Sequence, residues 1–274
     1  MDALHARAAS ELASGREAVV VQVIETRGSA PRPAGTRMLV GADRAHGTIG
    51  GGHLELKAID EARQMLRTGE FAPRSRHYPL GPALGQCCGG TVTLRLSRLD
   101  TTTLAGWPET APRFHLQLYG AGHVGRAIAR ALAPLDVSVD WIDERDEEFP
   151  MQFVDDREAP WPPHIRKVCV DAVEAEVGAA PAGAFFLVLT HRHDLDLRIS
   201  EAILERGDFG FFGLIGSKTK RARFIHRFEQ RGIPSATIAR MTCPIGLPGI
   251  EGKEPEVIAA AVTAQLLMAS SAAA

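Results

Sequence analysis

The fold is decided by the stretch Gly120-Ala121-Gly122-His123-Val124-Gly125, which lies between an apolar run at residues 114–119 and a helical pattern at residues 126–132. A second apolar run, residues 137–143, follows the helical pattern. The order of strand, glycine turn, helix and strand is typical of a dinucleotide-binding unit. Glycines at these positions allow a tight turn, bring backbone N–H groups close to a phosphate and let the helix pack against the strand.

The turn predicts a ligand site. Its expected members are Gly120, Gly122, His123 and Gly125. Asp143, the last residue of the second apolar run, lies where an acid would contact a ribose. The alternative, in which the glycines serve only a tight turn, stays open, and the pattern does not say which ligand binds.

The composition describes an ordinary globular chain. It has 274 residues, of which 45% are hydrophobic and 23% charged, and a formal net charge of -2. That charge argues against nucleic acid as a main partner, because such binding needs an excess of Lys and Arg. Residues 1–15 lack an apolar stretch of signal-peptide length, and the apolar runs are shorter than a membrane span. We therefore expect a cytoplasmic protein with neither nucleic acid nor membrane as a partner.

A linker rich in Thr, Gly and Pro at residues 100–112 divides the chain. Before it, strands and helices alternate without a regular βαβ order; after it, strand and helix repeat. We predict an α/β protein with an N-terminal α+β domain at residues 1–105. A Rossmann-like domain with a doubly wound parallel sheet is expected at residues 106–274.

A second glycine-rich stretch lies in the N-terminal half. Gly50, Gly51, Gly52 and His53 precede a predicted helix at residues 54–66. Three consecutive glycines carry an entropic cost, and they bring bare N–H groups to a helix start. We predict a second cradle for an anion or cofactor here, with a flexible hinge as the alternative.

The paired thiols of Cys87 and Cys88 are followed by Gly89 and Gly90. Vicinal cysteines beside glycines predict an exposed loop with reactive thiols, and thiolates are ligands for soft metals. The alternative is an inert pair under the sheet. The chain has four cysteines and no C-x-x-C pair, so a structural zinc site or a thioredoxin-type pair is not expected.

Ligands of open parallel sheets bind beyond the carboxyl ends of the strands, so the polar residues after each strand are candidates. Thr190 and His191 follow a predicted strand at residues 184–189. His191 and His193 resemble the start of a metallohydrolase signature, but the later ligands of that signature are missing. Asp194 or Asp196 could instead cap the next helix.

A further candidate follows the predicted strand at residues 209–215. It consists of Gly216, Ser217 and Lys218, with Ser217 placed to cap a helix whose first turn could hold a phosphate. The remaining Lys and Arg residues of that helix, Lys220 among them, are interpreted as a solvated basic face.

Taken together, these stretches resemble the XdhC/CoxI family, the xanthine dehydrogenase accessory proteins. The resemblance covers nearly the whole chain and rests on seven stretches in combination: residues 28–32, 47–55, 86–90, 120–125, 190–191, 213–218 and 244–247. Family members often continue the last stretch with an Asp and a Thr-Pro. This chain differs from that pattern, with Pro248 and Glu254-Pro255 there.

The resemblance implies a chaperone that binds molybdenum cofactor (molybdopterin) while a cysteine desulfurase installs the terminal sulfido ligand. It also implies transfer of the cofactor to apo xanthine dehydrogenase, a role that requires binding rather than catalysis. We expect the cofactor phosphate at one of the glycine loops and molybdenum near Cys87 or Cys88. A homodimer is the expected oligomer.

The main alternative is an NAD-dependent oxidoreductase, with NAD on the glycine turn and Asp143 on its ribose. His191 or His193 would then be the general acid or base. This alternative leaves the cysteine loop without a role. In a third possibility, the Rossmann-like domain is a docking scaffold whose ligand site is vestigial.

Overall fold

The computed structural model describes residues 3–80, 89–108, 111–153 and 161–272. These residues form two compact units, one up to residue 110 and one from residue 111 onward. Each unit contains its own sheet. Each also has two hydrophobic cores of its own.

The N-terminal unit is α+β. Its strands are β1 (Val19–Arg27), β2 (Arg37–Val40), β3 (Ala45–Gly47), β4 (Arg74–Pro79) and β5 (Thr91–Arg98). They form an antiparallel sheet in the order β3-β2-β1-β5-β4. Its helices are α1 (Ala3–Ala13), α2 (Gly52–Thr68) and α3 (Thr101–Ala105).

Strand β1 is apolar on both faces because helices cover both sides of the sheet. Val19, Val21 and Val23 pack in the core that α2 shares with the sheet. Val20 points the other way, into a core to which α1 and Trp107 contribute. The period of two along the strand thus places successive valines in separate cores.

The predicted linker at residues 100–112 contains regular structure. Asp100 caps α3 by accepting a hydrogen bond from the Thr103 backbone N–H at 2.7 Å. Leu104 and the buried Trp107 then pack against the α1 side of the sheet. A cap and two apolar anchors thus stabilise a short helix at residues 101–105, within the stretch predicted as a linker.

The C-terminal unit confirms the predicted Rossmann-like architecture. Its strands are β6 (His115–Tyr119), β7 (Ser138–Asp143), β8 (Ile165–Cys169), β9 (Phe185–Val188), β10 (Phe211–Leu214) and β11 (Met241–Thr242). All paired strands are parallel, in the order β11-β10-β9-β6-β7-β8. The α-helices are α4 (His123–Leu132), α5 (His193–Arg206), α6 (Lys218–Gln230), α7 (Ser235–Ala239) and α8 (Pro255–Ala272). Two 3₁₀ segments, Asp146–Glu148 and Val173–Ala179, complete the unit.

The sheet is covered on both faces, and its strand order changes direction in the middle. Helices α4 and α8 contribute to one core, and α5, α6 and the 3₁₀ segment Val173–Ala179 contribute to the other. From β6 the chain runs outward through β7 to β8, then returns to β9 on the other side of β6. Such a switch point opens a crevice beyond the carboxyl ends of the two central strands, where ligands of open sheets bind.

Helix α8 is the one helix among the described residues that is long and apolar enough to cross a membrane, by length and composition alone. Three of its residues, Ala259, Val262 and Leu266, are buried in the core that it shares with α4. Because core helices pass the same test, this helix is weak evidence for a membrane span.

Candidate functional site

The glycine turn joins β6 to α4 at the switch point of the sheet. Gly120 has a φ of +118°, which L side chains rarely adopt, and a Cβ there would overlap the Leu189 carbonyl oxygen. A Cβ at Gly125 would overlap the Gly120 carbonyl oxygen. Both positions therefore need glycine, one for its backbone conformation and both for close packing.

The outer face of the turn is open. Gly122 precedes α4 without a side-chain cap, and no described atom lies within 4 Å of where its Cβ would be. His123, the first residue of α4, is exposed. Because the first N–H groups of a helix have no partner within the helix, this end of α4 can accept an anion.

Strand β7 holds the turn from the inside. The Trp141 indole Nε1 donates to the Gly120 carbonyl oxygen at 3.0 Å, and the Gly120 N–H donates to the Ile142 carbonyl at 2.8 Å. The Ala121 N–H donates to Asp143 Oδ2 at 2.6 Å. The turn is thus preorganised by three bonds to the neighbouring strand.

Asp143 lies at the end of β7, as predicted, but its carboxylate faces the chain itself. It is 4% exposed and accepts hydrogen bonds from the backbone N–H and the guanidinium of Arg145. Burial raises the pKa of Asp143, but the bonds from Arg145 and Ala121 outweigh burial and leave the pKa below its usual value. The carboxylate is therefore ionised and satisfied internally.

The predicted residues after β9 are tied to a buried ion pair. Asp196, 1% exposed, accepts from the Thr190 backbone N–H at 2.9 Å and from Thr190 Oγ1 at 2.7 Å. Its other oxygen accepts from Lys220 Nζ at 2.5 Å, and Lys220 also donates to the Ile215 carbonyl at 2.8 Å. The interpretation of Lys220 as part of a solvated face was therefore wrong.

The stretch after β10 is shaped by the same lysine. A Cβ at Gly216 would overlap the aliphatic stem of Lys220, and Ser217 Oγ accepts from the Lys220 backbone N–H at 3.2 Å. Ser217 thus caps α6, while Lys218 is exposed. Asp196 does not cap α5, because its oxygens are bonded to Thr190 and Lys220.

A small depression at the carboxyl ends of β6, β7 and β9 brings three predicted residues together: Asp143, Thr190 and His191. At its edge His191 Nε2 lies 3.6 Å from Glu144 Oε1. Among the described residues no group of three or more His, Cys, Asp or Glu side chains is arranged to hold a metal ion. Apolar side chains of Ile142, Val173 and Leu195 line the rest of the depression.

In the N-terminal unit, the chain's own carboxylate occupies the predicted cradle at Gly50, Gly51 and Gly52. Glu55 Oε2 accepts from Thr48 Oγ1 at 2.5 Å and from the N–H groups of Ile49 and Gly51 at 3.0 Å each. Burial raises the pKa of Glu55, but these bonds outweigh burial and lower it. His53 and Gly52 are exposed at the start of α2.

Three of the glycine-containing loops of this unit meet at residues 28–31. A Cβ at Gly90 would overlap the carbonyl oxygens of Arg27 and Ser29, and a Cβ at Gly50 would overlap Pro31. Gly89 is exposed beside this junction. Cys87 and Cys88 lie outside the described residues.

Reasoning from the sequence missed several residues that shape these sites: Trp141, Arg145, Lys220 and Glu55. One signal was available. Glu55 is an acidic residue in the first turn of α2, four positions after Gly51, as in helix starts where an acid reaches back to free N–H groups.

Comparisons with known proteins agree with this architecture. The family model described as "XdhC Rossmann domain" matches residues 116–266, more than half of the chain, and that of the "XdhC and CoxI family" matches residues 11–79. A crystal structure from Bacillus halodurans, described as a xanthine dehydrogenase, covers 99% of this chain and 96% of its own, with a TM-score of 0.72 and 20% identity. At that identity the similarity shows a shared fold.

Two curated relatives come from Escherichia coli strain K12. The uncharacterized protein YqeB is 30% identical over 253 residues, which cover 90% of this chain and 42% of YqeB. The molybdenum cofactor insertion chaperone PaoD is 38% identical over 96 residues, which cover 34% of this chain and 30% of PaoD. The chain thus spans less than half the length of these relatives. The family matches together establish that this chain belongs to the XdhC and CoxI family.

Proposed function

We propose that this chain binds molybdenum cofactor and delivers it to a molybdoenzyme during maturation. Membership of the XdhC and CoxI family supports this role. The similarity to PaoD, a molybdenum cofactor insertion chaperone, supports it further. In finer detail, we propose that the chain holds the cofactor while a cysteine desulfurase adds the terminal sulfido ligand, and then inserts it into apo xanthine dehydrogenase.

The observation that carries the proposal is the open start of α4 at the preorganised glycine turn. The turn is held by Trp141 and Asp143 on its inner side, and Gly122 leaves the outer side accessible. A phosphorylated ligand fits this combination, because free N–H groups and a helix dipole stabilise an anion that a Cβ would otherwise obstruct.

Of the two glycine loops, we assign the cofactor phosphate to the one at Gly120. The loop at Gly50 already satisfies its N–H groups with Glu55, so an incoming phosphate would have to displace a carboxylate and its hydrogen bonds. His53, exposed at the start of α2, is retained as a proposed ligand contact of the N-terminal unit. Thr190 and His191 lie in the depression beside the glycine turn and are proposed to contact the pterin.

We assign the soft donors for molybdenum to Cys87 and Cys88. Support comes from the chemistry of thiolates and from the junction of loops beside Gly89 and Gly90. The NAD-dependent alternative has no comparable support, because the acid that would read the ribose is bonded to Arg145.

The experiment that tests the proposal is metal and pterin analysis of the full chain purified from a molybdenum-replete host. We expect molybdenum and pterin in the wild-type protein and loss of both in the Cys87→Ala, Cys88→Ala double variant. Cys169→Ala is the matched control, since Cys169 is a free exposed thiol on β8. Wild-type protein without molybdenum or pterin would contradict cofactor binding, and an unaffected double variant would remove the cysteines from the proposal.

The finer steps need their own assay. Loaded chain is mixed with apo xanthine dehydrogenase, with and without a cysteine desulfurase and L-cysteine, and xanthine oxidation is followed. Recovery of activity only with the complete mixture is expected. Recovery without the desulfurase would remove sulfuration from the proposal, and no recovery would remove xanthine dehydrogenase as the acceptor. The expected homodimer stays a prediction, which sedimentation velocity tests.

A further inference from the structure

The end of the second strand is the position that reads the nucleotide ribose in dinucleotide-binding Rossmann units. An acid there accepts hydrogen bonds from the ribose hydroxyls. To do so, at least one carboxylate oxygen must have a free lone pair that faces the ligand. Asp143 is the last residue of β7 and therefore occupies this position.

The acceptor capacity of Asp143 is used by the chain itself. Oδ1 accepts from Arg145 N and Nε, both at 3.0 Å. Oδ2 accepts from Ala121 N at 2.6 Å and from Arg145 Nη2 at 3.0 Å. A carboxylate has about four lone-pair positions. All of them are therefore engaged on a side chain that is almost completely buried.

Arg145 is in turn held in place by a second acid. Its Nη1 lies 3.3 Å from Glu148 Oε1, and the other oxygen of Glu148 pairs with Arg126 on α4. Arg126 Nε also donates to the Glu148 backbone carbonyl at 2.9 Å. The guanidinium of Arg145 is thus already paired with two acids. In NADP enzymes an arginine near this position binds the 2′-phosphate instead.

We propose that Arg145 is an internal occupant of the ribose position, and that the Asp143–Arg145 pair excludes nicotinamide dinucleotides from the Rossmann unit. The pair is a specificity determinant, because it leaves the start of α4 accessible while it removes the acceptor that a nucleotide would need. This inference goes beyond the proposed function and does not depend on it. A chain without any affinity for molybdenum cofactor would still reject NADH and NADPH.

The test is a titration of the full chain with NADH, and separately with NADPH, followed by energy transfer from tryptophan to the nicotinamide. Trp141 is a suitable donor because it contacts the glycine turn. We expect no saturable transfer in the wild type. Arg145→Ala should show saturable NADH binding over the concentration range in which the wild type shows none, because the freed Asp143 carboxylate can accept hydrogen bonds from the ribose.

Two further variants make the gain specific. Arg166→Ala is the matched control, because Arg166 donates from Nε and Nη2 to Asp140 at 2.8 and 2.9 Å. Asp140 lies on β7, as does Asp143. It should not gain NADH binding. The double variant Asp143→Asn, Arg145→Ala should lose the NADH binding that Arg145→Ala alone gains. If circular dichroism shows that Arg145→Ala is unfolded, Arg145→Gln takes its place.

Three results would overturn the inference. The first is saturable binding of NADH or NADPH by the wild type, a measurement that needs no variant. The second is a folded Arg145 variant that binds NADH no better than wild type. The third is an equal gain in Arg166→Ala, which would indicate general loosening of the sheet rather than release of the ribose position.

Discussion

Trp141 Nε1 donates a hydrogen bond to the carbonyl oxygen of Gly120 at 3.0 Å, so a buried side chain of β7 holds the turn that follows β6. The indole also stacks with Trp161 and meets Phe149 edge to face. The glycine turn is therefore anchored in the aromatic core of the sheet. It is positioned before any ligand arrives.

Trp141→Phe should loosen this turn without removing the aromatic packing. The Gly120 carbonyl would lose its donor in a buried position, and we expect a loss of unfolding free energy of about 1–3 kcal/mol. Urea denaturation measures that loss, and hydrogen–deuterium exchange should rise at residues 120–125. Trp161→Phe is the control, since it removes a similar bond to the Ile165 carbonyl away from the turn. Equal exchange at residues 120–125 in both variants would contradict a specific role for Trp141.

Gly125→Ala and Gly122→Ala should behave differently although both lie in the same turn. A Cβ at Gly125 overlaps the Gly120 carbonyl, and overpacking of this kind costs about 1–3 kcal/mol of unfolding free energy. A Cβ at Gly122 meets no described atom within 4 Å. The unfolding free energy of Gly122→Ala should therefore stay within about 0.5 kcal/mol of wild type. Gly122→Ala should instead reduce molybdenum and pterin content. Normal cofactor content in this variant would argue against phosphate binding at the turn.

Lys220→Met should strongly destabilise the C-terminal unit. The substitution leaves the buried carboxylate of Asp196 without its cation, and breaking a buried pair on one side costs about 3–5 kcal/mol. Lys218→Ala, an exposed neighbour, should change the unfolding free energy by less than about 0.5 kcal/mol. Chemical denaturation of both variants makes the comparison. A loss of less than about 1 kcal/mol in Lys220→Met would contradict a large contribution of this buried pair.

Stability should fall in acid because of Asp140. Burial raises the pKa of this carboxyl, but contacts with His115 and the paired bonds from Arg166 outweigh burial and lower the pKa to about 2. The folded pKa is thus below the unfolded value of 3.8. The stabilisation from Asp140 is therefore present above about pH 4 and is lost as the pH falls toward 2. The total loss of unfolding free energy from this group is about 2 kcal/mol. Asp140→Asn should flatten the unfolding free energy measured over this range, and an unchanged slope would contradict the assignment.

Glu55→Gln should weaken the N-terminal loop while keeping its shape. The amide oxygen can still accept one or two of the bonds from Thr48, Ile49 and Gly51, but without the negative charge at the start of α2. We expect a loss of about 1–2 kcal/mol in unfolding free energy.

In Glu55→Ala, added phosphate should raise the melting temperature more than it does in the wild type. No difference between the two would contradict an anion position at this loop.

The sequence predicted the fold from local signals. The glycine turn at Gly120, the apolar runs on either side of it and the helical pattern between them are typical of a Rossmann unit. The structure confirms that architecture. Helix α3 was missed because five residues are too few for a periodic pattern. Its stability comes from the Asp100 cap and from the contact of Trp107 with residues distant in sequence.

The candidate site was predicted less completely, for a physical reason. Residue types and spacing placed Asp143, Thr190 and His191 at the carboxyl edge of the sheet, but they do not show which groups those residues contact. Arg145 turns back onto Asp143 because the chain bends directly after β7. Lys220 reaches Asp196 because Gly216 has no side chain in the path of the lysine stem. Helical periodicity cannot show such a contact.

The ion pair of Lys220 and Asp196 also has a mechanical consequence. Lys220 bonds both to Asp196 and to the Ile215 carbonyl, while Asp196 bonds to Thr190. The loop after β9 and the first turn of α6 are therefore joined through the Asp196 carboxylate. Displacing Thr190 relative to the first turn of α6 would therefore require breaking one of these buried hydrogen bonds.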